Sequence, residues 1–105
     1  MSRPLEIEVS ELAATQIRAA ADWWRLNRPK APNAIHEELE RAARLISLQP
    51  QIGARARNVA LAGVRRLHLA RSRFDLYYRV VSEPEHVEVL ALWHSSRETS
   101  PPELG

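Results

Sequence analysis

Gly63-Val64-Arg65-Arg66-Leu67-His68-Leu69-Ala70-Arg71-Ser72-Arg73-Phe74-Asp75-Leu76-Tyr77-Tyr78-Arg79-Val80-Val81 decides how this chain folds. Leu67 and Leu69 alternate with Arg66 and His68, and Phe74, Leu76, Tyr78 and Val80 alternate with Asp75, Tyr77 and Arg79. That is the two-residue period of half-buried strands. The polar Arg71-Ser72-Arg73 between the runs predicts a turn, and Ser82-Glu83-Pro84-Glu85 predicts another. The run beyond it, Val87–Trp93, is apolar on both parities after Glu88, as expected of a central strand. The segment is therefore an antiparallel meander of three strands, Val64–Leu69, Phe74–Val81 and Val87–Trp93. One face should carry the core; the other should display Arg66, His68, Asp75, Tyr77 and Arg79 in a shallow concavity.

Upstream the period changes. Leu5, Ile7 and Val9 alternate with Glu6 and Glu8 as a strand, and Ser10 then offers a helix N-cap with Glu11 in the first turn. Ala13, Ile17, Ala20 and Trp24 make the apolar stripe of a first helix, which must stop near Asn27-Arg28-Pro29. Pro32 suits the first turn of a second helix with the stripe Ile35, Leu39, Ala42 and Ile46, ended by Pro50. The short link makes an antiparallel helical hairpin. Residues 49–62 have no clean period and read as an extended loop, of the kind that is often functional. The fold class is thus α+β: an N-terminal strand, a helical hairpin and the meander, forming one domain over residues 1–98, with 99–105 expected as a flexible tail.

The strand segment also concentrates charge. Over residues 52–82, Arg55, Arg57, Arg65, Arg66, Arg71, Arg73 and Arg79 oppose only Asp75, while residues 1–51 are balanced and residues 83–105 set Arg97 against five glutamates. A net charge of +2 hides this polarity. Such a patch attracts phosphates or acidic protein segments. Fourteen of the fifteen cations are Arg, the planar bidentate donor suited to phosphate and carboxylate, although Arg-rich codon usage explains the ratio equally well. It does not explain the clustering.

The chain has no cysteine, which excludes disulfides and Cys-based metal or redox sites, and its histidines show no ligand spacing, so neither a metal nor a cofactor is expected. Glu6 and Glu8 stand where a signal peptide needs its apolar run, and no stretch is long enough to span a membrane, so a cytoplasmic protein is expected.

The element order, together with Trp23-Trp24-Arg25-Leu26-Asn27-Arg28-Pro29, Gly63-Val64-Arg65-Arg66-Leu67, Tyr77-Tyr78-Arg79-Val80 and Val89-Leu90-Ala91-Leu92-Trp93-His94, resembles the ParE branch of the RelE/ParE toxin superfamily over nearly the whole chain. The resemblance implies the toxin half of a type II toxin–antitoxin pair, in a hetero-oligomeric complex with a ParD-like antitoxin. That antitoxin would have a ribbon-helix-helix N-terminus and an acidic, amphipathic C-terminal segment. ParE-like members are associated with poisoning DNA gyrase, whereas RelE-like members cleave mRNA on the ribosome. By the same resemblance, Arg66 and His68 fall where RelE-like toxins place two lysines, and Arg97 falls at their C-terminal arginine. The middle-strand arginine is Asp75 here, and the late tyrosine position is near Glu103. A carboxylate there would repel a scissile phosphate, because metal-free RNA cleavage needs cations at the developing charge.

A gyrase-directed toxin with no catalytic residues is therefore the leading expectation. A ribosome-dependent endoribonuclease using Arg66, His68, His94 and Arg97 is the alternative, since imidazole is a competent general acid or base near neutral pH. A degenerate binding module is a third. The basic row and an off-stripe tryptophan make Trp23, Arg66, Arg71, Arg73, Tyr77 and Arg79 the candidate antitoxin contacts, and Trp93, His94 and Arg97 the candidate target contacts. Each has a plainer account: Trp24 belongs to the core, His94 closes a strand, His68 pairs structurally with Asp75, Arg97 pairs with Glu98 or Glu88, and Tyr77 and Arg79 are ordinary strand-surface residues.

Overall fold

Ser10 begins the helical layer. In the computed structural model, which describes residues 3–97 and 99–105, its Oγ accepts a hydrogen bond from the Ala13 N–H at 3.1 Å and donates to the Leu90 carbonyl at 3.3 Å. One side chain thus caps the first helix and ties it to the last strand. That helix, α1 (Glu11–Asn27), follows strand β1 (Ile7–Val9) and is stopped before Pro29, with the Arg28 N–H closing on the Trp24 carbonyl at 2.7 Å. The second, α2 (Ala34–Leu48), starts at an Asn33 N-cap, so Pro32 sits in the preceding turn and not in the first helical turn. Both predicted stripes face inward: Ala13, Ala20, Ile35, Ala42 and Ile46 are buried, with Ile17, Trp24 and Leu39 packed against them.

The remaining elements are β2 (Ala54–Arg55), β3 (Arg65–Leu69), β4 (Phe74–Val81), β5 (His86–His94) and a final 3₁₀ turn, Pro102–Leu104. They form a five-stranded sheet of order β1-β5-β4-β3-β2, antiparallel except that β1 runs parallel to β5. The meander and helical hairpin are as expected. The short edge strand β2 is new: within the expected loop, Ala54 and Arg55 pair with Arg66 and Arg65. No helix of the described residues is long and apolar enough to cross a membrane.

β5 explains itself through a bulge. Tyr77 pairs with Ala91 while Tyr78 pairs with Val89, leaving Leu90 as an extra residue. Val87, Val89 and Leu92 consequently join Leu69, Leu76 and Tyr78 under the helices, whereas Leu90 and Ala91 both turn to the opposite side. A strand that is apolar on both parities is here both central and bulged.

The opposite side is consequently no bare concavity. Tyr77, Leu90 and Ala91 form a second apolar cluster with Ala56, Val64 and Leu104, flanked by Val59 and Trp93. The expected tail provides part of this cover. Pro101 is buried and Leu104 is only 6% exposed, the Trp93 indole N–H donates to the Thr99 carbonyl at 2.8 Å, and the Leu61 N–H donates to the Leu104 carbonyl at 3.0 Å. Residues 99–105 are therefore packed into the domain and do not form a flexible tail; burial of a proline and a leucine outweighs the loss of chain entropy there.

Two polar anchors fix the frame. The Glu38 carboxylate of α2 accepts from the Arg71 N–H at 2.8 Å and the Ser72 N–H at 3.0 Å, holding the β3–β4 turn. The Tyr78 hydroxyl donates to the Pro50 carbonyl at 2.8 Å and accepts from the Gly53 N–H at 2.9 Å. A Cβ at Gly53 would lie 2.8 Å from that hydroxyl and 3.1 Å from the Arg66 carbonyl, so the approach requires glycine. Burial pushes the Tyr78 hydroxyl above the ordinary tyrosine value, against smaller opposing effects of the Gly53 N–H and of Arg65.

Candidate functional site

On the sheet face away from the helices, a cleft of about 700 Å³ opens between the end of β5, the middle of β3 and β4, and the last residues of the chain. Arg66 comes to it from β3, Asp75 from β4, Trp93 and His94 from β5, and Arg97 from the turn that follows. Of the residues expected to act on a target or on RNA, four meet here: Arg66, Trp93, His94 and Arg97.

Each is held differently. The Arg97 guanidinium lies 4.3 Å from the centroid of the Trp93 ring, a cation–π arrangement. It does not reach Glu88, which is bound to Arg79, and the Glu98 alternative lies outside the described residues. His94 accepts at Nδ1 from the Ser96 N–H at 3.2 Å, with the Ser96 Oγ at 2.6 Å, and stands edge-on to Phe74. With Nδ1 engaged in this way, Nε2 is the ring atom left for a ligand. Arg66 is exposed and has no carboxylate partner among the described residues. Asp75 is buried, and its Oδ1 takes the imidazole of His68 at 2.9 Å across the β3–β4 ladder. The expected His–Asp proximity is present, and it engages His68 at Nδ1.

Tyr77 departs from expectation. It is 1% exposed, covered by the 56–64 loop and Leu104, and its hydroxyl accepts from Asn58 Nδ2 at 2.9 Å. It lies on the expected face but has no free ring to stack on a partner. Arg79 departs too: its Nε donates to Glu88 Oε1 at 2.8 Å, a partly buried pair already made within the sheet.

The remaining arginines are dispersed by the fold. Arg65 donates to the Gly53 carbonyl at 2.7 Å and the Gln51 carbonyl at 3.3 Å, and, with Arg55 and Arg57, lines a cleft of about 550 Å³ beneath the 56–64 loop. Arg71 and Arg73 instead sit in the β3–β4 turn, beside Trp23 of α1, in a third cleft of about 530 Å³ that His94 and Arg97 also border. Trp23 is 52% exposed, as an adhesive position requires, and Leu26 beside it is more exposed still. Arg71 reaches Glu37 only at 3.6 Å, and Arg73 has no carboxylate partner among the described residues. The antitoxin candidates thus separate: Trp23, Arg71 and Arg73 are together, Arg66 is across β5's end, Tyr77 is buried and Arg79 is paired.

Sequence reasoning missed Asn58, Ser72 and Arg28. Asn58 lies in an aperiodic loop with no signal to mark it; Ser72 looked like turn punctuation, and Arg28 like the residue before a helix-stopping proline.

The comparisons with known proteins agree with this architecture. No curated protein matches the sequence. A solved structure described as the chromosomal ParDE TA system from P. aeruginosa superposes with a TM-score of 0.68 at 23% identity, covering 89% of this chain and 98% of that one, which is a likeness of fold. The model of the ParE toxin of type II toxin-antitoxin system, parDE, matches residues 7–99, beginning at the first strand. The chain therefore belongs to the ParE toxin family.

Proposed function

We propose that this protein is the growth-inhibiting partner of a toxin–antitoxin pair, that it poisons DNA gyrase in the cytoplasm, and that a ParD-like antitoxin neutralises it by covering the clefts around Trp23 and Arg66. The observation that carries the gyrase reading is Asp75. Its carboxylate lies in the wall of the main cleft, between Arg66 and His94, where a nuclease would need a cation for the developing phosphorane charge. Supporting the antitoxin reading are an exposed Trp23 and Leu26 beside arginines that lack full carboxylate partners, a combination suited to an acidic amphipathic segment.

The test is induced expression, scored for DNA breaks and SOS induction on one side and for cuts in translated mRNA on the other. DNA breaks without mRNA cuts are expected. Discrete mRNA cleavage would promote the RelE-type alternative, which one observation favours: Arg66, His94 and Arg97 do share a cleft. On the gyrase reading, Asp75→Arg alone creates no cleavage. Antitoxin association is expected to slow as salt rises; equal rates at low and high ionic strength would remove the electrostatic part of the claim.

A further inference from the structure

The cleft between the C-terminal end of α1 and the β3–β4 turn has a lining rich in hydrogen-bond donors. Arg28, Arg71, Arg73 and Arg97 border it with Trp23 and Ser72, and among the described residues no Asp or Glu side chain does. Two further donors are buried without a hydrogen-bond partner among the described residues, the Ser72 Oγ and the Trp24 indole Nε1, and both residues line this cleft. Ser72 is only 5% exposed. Leaving such groups unpaired is costly, so a hydroxyl and an indole orphaned beside one cleft point to a ligand that supplies acceptors. Ser72 is moreover held in position, because its N–H and that of Arg71 occupy the two oxygens of Glu38. That carboxylate is thereby already spent on backbone donors.

We propose that this cleft binds the phosphate group of a nucleotide, with Trp23 as the platform for its base. A carboxylate has two oxygens and one charge, and a pair of guanidiniums satisfies it. Several guanidiniums with a hydroxyl and an indole N–H offer more donors than that, and they match a phosphate monoester with three acceptor oxygens and a charge near −2. Trp23 is half exposed beside this array; its ring has Arg28 at 5.9 Å on one side and Trp24 edge-on at 6.1 Å, which leaves area for stacking on a planar ring. This is also the cleft that the proposed antitoxin would cover, so the two occupants would compete for it, and the phosphate site does not require the gyrase reading. The phosphate can come from a free nucleotide or from the 5′-phosphorylated end of a DNA strand, and the probes separate the two.

The experiment is calorimetric titration of the purified full-length protein with AMP, adenosine, glutarate and a 5′-phosphorylated thymidine decamer. AMP is expected to bind at least about tenfold more tightly than adenosine or glutarate, and Ser72→Ala and Arg28→Gln should each weaken AMP by about fivefold to tenfold. Ser72→Ala should leave the melting temperature of the free protein unchanged or raised, since it removes an unpaired buried hydroxyl; Arg28→Gln, at an exposed position, keeps the test alive if it does not. A decamer binding more tightly than AMP, with the same sensitivity to both substitutions, assigns the phosphate to a strand; the reverse order assigns it to a free nucleotide. Equal affinity for AMP and adenosine, or AMP binding untouched by both substitutions, overturns the proposal. Glutarate binding as tightly as AMP overturns it as well and gives the cleft to a carboxylate of a protein partner.

Discussion

The helix side of the sheet is filled by Ile35, Ile46, Leu76 and Tyr78 beneath two amphipathic helices, whereas the opposite side is filled by Tyr77, Leu90 and Ala91 beneath a loop and the last residues of the chain. The first cover is held by its own helical hydrogen bonds as well as by packing. The second has no regular ladder: isolated bonds such as Ala60 N–H to the Gly105 carbonyl and Leu61 N–H to the Leu104 carbonyl join loop to terminus, and Asn58 to Tyr77 and Trp93 to Thr99 tie them to the sheet. Irregular covers of this kind open more readily than helices, and it is here that the main cleft lies. A rigid face thus positions a softer one, on which partners can act.

The sharpest way to break that contrast is to compare one side chain from each face. Ile46→Ala, in the helix-side core, should cost about 2–5 kcal/mol in urea unfolding. Leu104→Ala, beneath the second cover, should cost about 2 kcal/mol, the low end of the same range because its surroundings can relax. If Leu104→Ala costs less than about 0.5 kcal/mol, the surface-substitution level, the last residues are not part of the core. The two-cluster description would then fail.

The same contrast explains what could be read from the sequence. The helix-side face was legible because its residues repeat: Ala13, Ile17, Ala20 and Trp24 on one helix, Ile35, Leu39, Ala42 and Ile46 on the other, and Leu67 and Leu69 on β3. The second face was not. Ala56, Val59 and Val64 have no period, Leu104 follows two prolines, and the Leu90 bulge breaks the parity that would have marked it. Hence Tyr77 was placed on the correct face but assigned the wrong exposure, since parity tells where a side chain points and not what covers it. Arg66, His94 and Arg97 stand out in the sequence as cations and an imidazole, and the fold brings them to one cleft; Ser72 acquires meaning only when its hydroxyl is seen to be buried without a partner among the described residues.

Tyr78 links the helix-side face to the loop, and its removal should have a smaller effect than the core truncation. Tyr78→Phe orphans the Gly53 N–H and the Pro50 carbonyl, a loss of about 1–2 kcal/mol at neutral pH. Its pH dependence is more specific. Because burial raises the Tyr78 pKa in the folded state, the unfolded chain gives up its phenolic proton first as pH rises. The associated stability is whole below the ordinary tyrosine value of about 10 and is lost as pH climbs from there through the folded-state value. Wild-type protein should therefore lose stability above about pH 10 more steeply than Tyr78→Phe. Parallel alkaline profiles for the two proteins would show that Tyr78 titrates alike in both states.

Arg97→Ala is expected to change stability least and function most. The side chain is exposed and its contact among the described residues is the face of Trp93, so its loss should cost no more than about 0.5–1 kcal/mol. It also stands where the main cleft meets the cleft beside Trp23, bordering both, which is the position from which a single cation can serve a partner on either side. Antitoxin capture rests on the wider apolar and basic surface and should survive the change nearly intact, since alanine scans concentrate binding energy in a few buried anchors and Arg97 is not buried. Growth inhibition should fall. A plating assay paired with an antitoxin pull-down separates the possibilities: lost toxicity with retained capture makes Arg97 a target contact, while full toxicity in the variant moves the target site off the softer face altogether.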